Sequence, residues 1–251
     1  MYKVYIQSVN NFPVSDWAVS AYMGFKDKQM DIIFFEDIEE VPVNPNNIVV
    51  AFIEDTIKHF KALGVNPPLS INIPNELMKY AKRNIRYMTM GEFKQDTQMP
   101  VFVKPNRFAK EFVAGVIKQQ SSKALFFNDI KDDTPVLVSD VIDIVSEYRC
   151  YVIKGELKGI KHYIGDIRIF PDVKVIDAAI ADYKSAPSAY VIDFGITKEG
   201  ETILVEANDA WSVGNYGLND TTYANMLLTR WIEIMNTCKA PTYPHIKMSK
   251  I

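Results

Sequence analysis

The sequence predicts an α/β protein that passes into α+β lobes, and three observations carry that expectation. The first third alternates short apolar runs with helical stretches. From Ile85 onward, strand-like runs are separated by short turns. A strand–turn–strand pattern then spans Tyr190 to Glu206, ahead of one last helical stripe. Strands alternating with helices imply a mostly parallel sheet, whereas strands separated by short turns give α+β texture.

Taken in order, Tyr2 to Ile6 alternates like a strand, and Val14-Ser15-Asp16 opens a helix carrying Trp17, Val19 and Tyr22. Met30 to Phe35 and Ile48 to Phe52 are short apolar runs of buried-strand type. Glu54 to Leu63 has helical spacing and stops at Gly64, and Asn75 to Ile85 reads as helical again. Arg86 to Met90, Pro100 to Val103, Ala124 to Phe127 and Val136 to Val138 are strand candidates, with Phe112 to Gln119 helical. Glu147 to Ile153, Tyr190 to Phe194 and Thr202 to Glu206 are the strongest strand signals, and Lys198 to Glu201 makes the last two a hairpin. Thr221 to Asn236 is a closing helix with Leu227, Leu228, Trp231, Ile232 and Met235 on one stripe, and the tail after Cys238 is expected to be loose. The expected division is 1–85, 86–138 and 139–251.

Composition excludes several classes. With 251 residues, 48% of them hydrophobic, the chain can bury a normal core and is not disordered. A formal charge of −3 argues against a dedicated duplex-DNA binder. Cys150 and Cys238 lack metal-ligand spacing, and Cys150 sits in an apolar run as a buried thiol. His59, His162 and His245 form no triad spacing, and His59 is placed on a lysine-rich, surface-facing helix. No signal peptide and no stretch of 18 apolar residues is present, so the expected address is the cytoplasm. The first lobe holds no glycine-rich phosphate fingerprint.

The chemistry concentrates in three places. Asp193 and Glu206 come from the two strands of the hairpin, and Asn208 shares a face with Glu206 because strand side chains alternate. Three oxygen donors on adjacent strands suit a hard cation such as magnesium, which keeps waters and phosphates as its other ligands; a hairpin whose acids face water is the alternative. Lys104 ends the apolar run Val101-Phe102-Val103, and Lys110 follows six residues later. Two such ammonium groups can flank one phosphate, although Lys104 alone also fits a side chain that leaves the strand for solvent. Pro135 to Ile142, then Glu147-Tyr148-Arg149, is an apolar strand entering a polar bend that can offer backbone groups to a flat heterocycle.

In this order, residues Arg86 to Tyr216 resemble the ATP-grasp superfamily. More narrowly, Lys104-Pro105, Lys110-Glu111-Phe112, Gly115, Glu147-Tyr148-Arg149 and Gly214-Asn215-Tyr216-Gly217 resemble a clade of bacterial and phage ATP-grasp domains. The resemblance implies an N-terminal α/β pre-ATP-grasp domain, a small central lid lobe and a C-terminal α+β lobe with the metal site. It implies a carboxylate–amine ligase working through an acylphosphate, with ATP and magnesium or manganese. The implied substrates are small-molecule or peptide carboxylates and amines; from hydropathy and charge, no membrane partner is expected and a nucleic acid is not the expected partner. Lys104 and Lys110 would hold phosphates, Ser139, Asp140 and Val141 the adenine, and Glu147 the ribose. Asp193, Glu206 and Asn208 would hold the metal, and Arg149, Arg168 and Lys161 would carry catalysis.

The sequence departs from the family pattern in three ways. Asn106 to Lys110 replaces the glycine-rich phosphate loop, Ser139 replaces the hinge acid, and Val191 stands where many family ligases have an arginine. Two other readings stay open: a nucleotide- or peptide-binding module without ligation, and a ligase that modifies a macromolecule through the basic residues Lys79, Lys82, Arg83 and Arg86.

Overall fold

The computed structural model describes residues 2–107 and 111–237; Lys110, Cys238, His245 and the tail expected to be loose lie outside them. Three four-stranded sheets make up the β structure of the described residues. In the first, β1 (Lys3–Val9) runs parallel to β3 (Asp31–Phe35) and β4 (Asn47–Val50), and short β2 (Phe12–Pro13) folds back on its end. β4 is buried throughout, but β3 is a sheet edge on which only Phe35 is buried. Helix α1 (Asp16–Asp27) starts where Ser15 Oγ accepts from the Ala18 amide, and α2 (Ile53–Ala62) ends before Gly64, whose φ of +72° suits glycine.

The second sheet is antiparallel, in the order β5 (Ile85–Thr89), β8 (Pro135–Asp140), β6 (Val101–Pro105), β7 (Gly115–Ile117). One face, with Val101, Val103, Val136 and Val138, packs on Phe93 of α4 (Met90–Gln95) and Phe127 of α5 (Ser121–Phe127). Alternation therefore turns Phe102, Lys104, Leu137 and Ser139 to the other face. Two expectations exchange places here. The segment Phe112 to Gln119, expected helical, holds strand β7, and Ala124 to Phe127, expected extended, ends helix α5. Short apolar runs do not fix their own period; Lys123 and Phe127, four apart, are the buried pair of α5.

The third sheet runs β10 (Glu156–Gly165), β9 (Ile144–Ile153), β11 (Ala189–Thr197), β12 (Thr202–Asp209), all antiparallel. The expected β11–β12 hairpin is present; β10 and helix α6 (Val173–Asp182) had no sequence expectation. The predicted helix Asn75 to Ile85 shrinks to a 3-10 turn and α3 (Met78–Ala81), because Lys82 turns into the left-handed region and Ile85 joins β5. One sheet face packs on α6 and α3 through Cys150, Val152, Ile192, Phe194 and Ile176. The other joins the first sheet and α7 (Asp220–Thr237) in a single core with Val4, Phe25, Phe60, Tyr151, Val191 and Trp231. His59 belongs inside this core, not on the surface: it is 2% exposed, its ring lies 6.3 Å from that of Trp231, and burial holds its pKa down. Among the described residues, no helix is long and apolar enough to cross a membrane.

Helices α1 and α7 touch backbone to backbone. A Cβ on Gly24 would fall 2.0 Å from the Asp220 carbonyl oxygen and 2.8 Å from Ala224 Cβ. Gly24→Ala gains about 1 kcal/mol of helix propensity but forces the helices apart at about 1–3 kcal/mol. We expect a net loss of stability in urea unfolding, with the α1–α7 contact loosened.

Candidate active site

The third sheet sets the site by register. Lys161, Arg149, Asp193 and Glu206 stand directly opposite one another on β10, β9, β11 and β12. Opposed residues point to the same face, so one row carries two cations and two acids. The next row is Gly159, Tyr151, Val191 and Asn208. Asp193 is 1% exposed and accepts two bonds from Arg149, from Nε at 2.9 Å and Nη2 at 2.7 Å. Burial pushes the Asp193 carboxyl up to about 6, against the pull of Arg149, while Arg149 itself is raised above its ordinary value. The fork-to-carboxylate geometry favours the ionised pair. Arg149 also lies beside two neighbouring rings, 4.7 Å from the centroid of Tyr216 and 5.7 Å from that of Tyr163.

Glu206 is covered from two sides. One oxygen takes the ammonium of Lys104, and the other accepts from Asn208 Nδ2 at 2.7 Å. Burial pushes the Glu206 carboxyl up, but Lys104, Asn208 and Arg149 outweigh it and hold the group below its ordinary value. Just beyond, the β11–β12 ladder slips: Asp193 opposes Glu206, yet Phe194 opposes Leu204, leaving Val205 bulged. Arg83 occupies the slip, donating to the carbonyls of Leu204 at 2.6 Å and Val205 at 2.9 Å. The bulge lets Ile203, Val205 and Glu206 all face one cleft.

That cleft, about 450 Å³, lies between the second and third sheets. Phe102, Val116, Leu137, Ile203 and Val205 form its apolar walls. Lys104, Ser139, Asp140, Val141 and Glu147, all expected at the nucleotide, line it together with Glu206, expected at the metal. Asp140 is turned to the chain, accepting from the Asn84 amide at 2.9 Å, while Val141 and Ile142 belong to no strand pairing. Glu147 accepts 2.6 Å from the Tyr163 hydroxyl, which burial keeps protonated.

A second cleft of about 500 Å³ opens on the other side of Glu206, between the third sheet and the leading ends of α1 and α2. Arg149, Asn208 and residues 211–216 line it, with Trp17 and Phe52 opposite. Its loop is fixed by two hydroxyls: Tyr151 donates to Gly214 O at 2.9 Å and Tyr223 to Val213 O at 2.7 Å. Arg230 clamps the end of β12, donating to both oxygens of buried Asp209 at 2.8 and 2.6 Å and to Glu233 at 2.6 Å. Arg168 is not brought to either cleft; it is exposed and forks onto Asp166. Lys161 shares the row of Arg149 but lines neither cleft. The basic residues between Lys79 and Arg86 form no common stripe: Lys79 pairs with Asp182, Lys82 with Glu201 and Arg86 with Asp96, while Arg83 turns into the cleft between the second and third sheets. Tyr163, and Arg83 in this position, are the functional candidates that sequence spacing gave no reason to place here.

As a metal site, Glu206 and Asn208 offer oxygen donors suited to a hard cation, whereas Asp193 is committed to Arg149. No cluster of three His, Cys, Asp or Glu side chains stands ready as a cage among the described residues. The donor set fits a cation that takes its remaining ligands from phosphates and water.

Two sheets closing on a cleft, with a lysine from one meeting an acid from the other, define an ATP-grasp architecture. Residues 80–226 match the model of an ATP-grasp domain family, the second of its clade, and the chain belongs to that family. No protein of curated function matches it in sequence. Among solved structures, the chain is similar to D-alanine–D-alanine ligase from Bacillus anthracis, at 12% identity and a TM-score of 0.56, covering 94% of this chain and 98% of that one. A RimK-domain ATP-grasp protein from Sphaerobacter thermophilus gives 14% and 0.54, covering 90% and 99%. N5-carboxyaminoimidazole synthase from Aspergillus clavatus gives 9% and 0.54, covering 92% and 77%. At these identities the likeness shows the fold.

Two outcomes are expected. Asp193→Leu alone should cost about 3–5 kcal/mol in unfolding, because Arg149 is left buried and unpaired. The double variant Arg149→Met/Asp193→Leu should recover most of that loss, which a double-mutant cycle reads directly. Because Glu206 is held below its ordinary value, its bridge to Lys104 stabilises the fold above about pH 4.5 and is lost as pH falls through the lowered value. Glu206→Gln should therefore flatten the acid limb of the stability–pH profile.

Proposed function

We infer that this protein is an ATP-dependent carboxylate–amine ligase, with the nucleotide in the cleft between the second and third sheets and the substrates in the cleft on the far side of Glu206. The observation that carries this reading is that Glu206 lines both clefts and is bonded to Lys104. A group at the junction is where a phosphate would pass from nucleotide to acceptor. In this reading the chain divides into an N-terminal lobe, a lid formed by the second sheet, and a C-terminal lobe.

The adenine packs between Phe102, Leu137 and Ile203 and reads the backbone at Ser139, Asp140 and Val141. Glu147, held by Tyr163, takes the ribose hydroxyls. Lys104 moves from Glu206 to a phosphate oxygen, assisted by Lys110, as phosphate binding by point charge requires. Glu206 and Asn208 would hold magnesium or manganese, which when bound neutralises phosphate charge. Asp193, in this arrangement, positions Arg149 and is not a ligand. Arg149 commits Nε and Nη2 to Asp193 and keeps Nη1 to meet charge building on the transferred phosphoryl group.

In the first step a substrate carboxylate oxygen attacks the γ-phosphorus, forming an acyl–phosphate bond as the bond to ADP breaks. In the second, an amine nitrogen attacks the acyl carbon, inorganic phosphate leaves and the nitrogen loses a proton. Charge placement and positioning supply most of the acceleration in such transfers. Arg168 and Lys161, away from both clefts, have no part in it.

Calorimetry should show ATP binding that depends on magnesium and is lost in Lys104→Ala and Glu206→Ala. Screening acids and amines for ADP release should then find turnover that falls at least about 100-fold in Arg149→Met. Absence of ATP binding in folded protein would overturn the reading.

A further inference from the structure

We propose that the second cleft selects a cationic acceptor: a molecule whose reacting amine sits by Glu206 and Arg149 while a second ammonium is held at the rim by Asp16 and Glu54 against Trp17 and Phe52. This specificity rests on the ligase reading above and narrows it to a substrate class.

The charges lining this cavity do not balance. Arg149 is the one cation among the described residues lining the cleft, and Asp193 already neutralises it. Glu206 is neutralised by Lys104. What remains at the lining is Asp16 and Glu54, both exposed and neither with a hydrogen-bond or ion-pair partner among the described residues. The cleft therefore presents a net negative face to its occupant.

The two acids open the first turns of α1 and α2, where they also offset the helix dipoles. That role alone would be met on any solvent-facing turn. Here the two helix ends converge: the Trp17 and Phe52 rings meet edge to face with centroids 5.6 Å apart, and Phe52 is 46% exposed at the cleft. An aromatic pair beside two carboxylates is a chemical match for an ammonium group. It is a poor match for a second carboxylate, which would face two like charges and find no unpaired described cation. The rim and the Glu206 end belong to opposite walls of one cavity of about 500 Å³, so the preferred molecule is bifunctional, with separated amines.

The test reads binding, not turnover. Intrinsic tryptophan fluorescence or calorimetry would follow 1,5-diaminopentane, 5-amino-1-pentanol and 5-aminopentanoate on the intact chain. The diamine should bind at least about tenfold more tightly than the alcohol, the carboxylate should bind weakest, and added salt should narrow the gap. Asp16→Asn/Glu54→Gln should abolish the preference. Glu54→Lys, confirmed folded by circular dichroism, should reverse it toward 5-aminopentanoate. Equal binding of the three probes, no binding of the diamine, or a preference unchanged in both variants would overturn the proposal. Measuring ATP–magnesium binding on the same unaltered protein separates the two ideas: nucleotide binding without diamine preference removes only the specificity, and diamine preference without nucleotide binding removes only the ligase reading.

Discussion

The bidentate contact between Arg149 and Asp193 is the constraint around which the site is assembled. Both charges lie on the central strands of the third sheet, where neither could be left alone without a large desolvation cost. Their pairing fixes the guanidinium plane, and the Tyr216 ring then covers one side of it. Tyr216 has a φ of +41°, a left-handed conformation unusual for a tyrosine, and Gly217 follows at +76°. The loop is carried into that geometry by the hydroxyls of Tyr151 and Tyr223. A charged pair on two strands thus determines where the wall of the second cleft stands.

The slip at Val205 is the other organising feature. Without it, strict alternation would send Val205 and Glu206 to opposite faces; with it, Ile203 and Val205 both join Glu206 in the cleft between the second and third sheets. The exposed carbonyls this creates are taken by Arg83, which comes from the segment linking α3 to the second sheet. A residue from the connection therefore sits against the sheet that carries the acids.

Much of this was legible in the sequence. β1 is read from alternation, β4, β6, β8, β9 and the β11–β12 hairpin from short apolar runs and their turn, and Glu206 and Asn208 from their spacing of two on one strand. Lys104, Ser139, Asp140, Val141 and Glu147 line one cleft as the family resemblance implies. What was hidden depends on contacts between distant segments. The pairing of Arg149 with Asp193 spans 44 residues and follows from a register that sequence spacing does not encode. His59 has lysines for neighbours in sequence, yet a helix face opposite them meets Trp231, 172 positions away. The exchange of strand and helix around residues 112–127 has a local cause, since runs of three or four apolar residues fit either period.

The three cores divide unevenly. One is shared by the first sheet, α7 and one face of the third sheet, so those parts are welded through common side chains such as Phe60, Tyr151 and Trp231. The second sheet keeps a core of its own around Phe93 and Phe127. Both walls of the cleft lined by Trp17 and Phe52 come from the welded part, whereas the cleft between the second and third sheets has one wall on each body. The shape of the first is consequently set by packing within one core, and that of the second by how two separately cored parts meet. In the ligase proposed above, the acceptor would be recognised within one core and the nucleotide between two, with Glu206 lining both clefts.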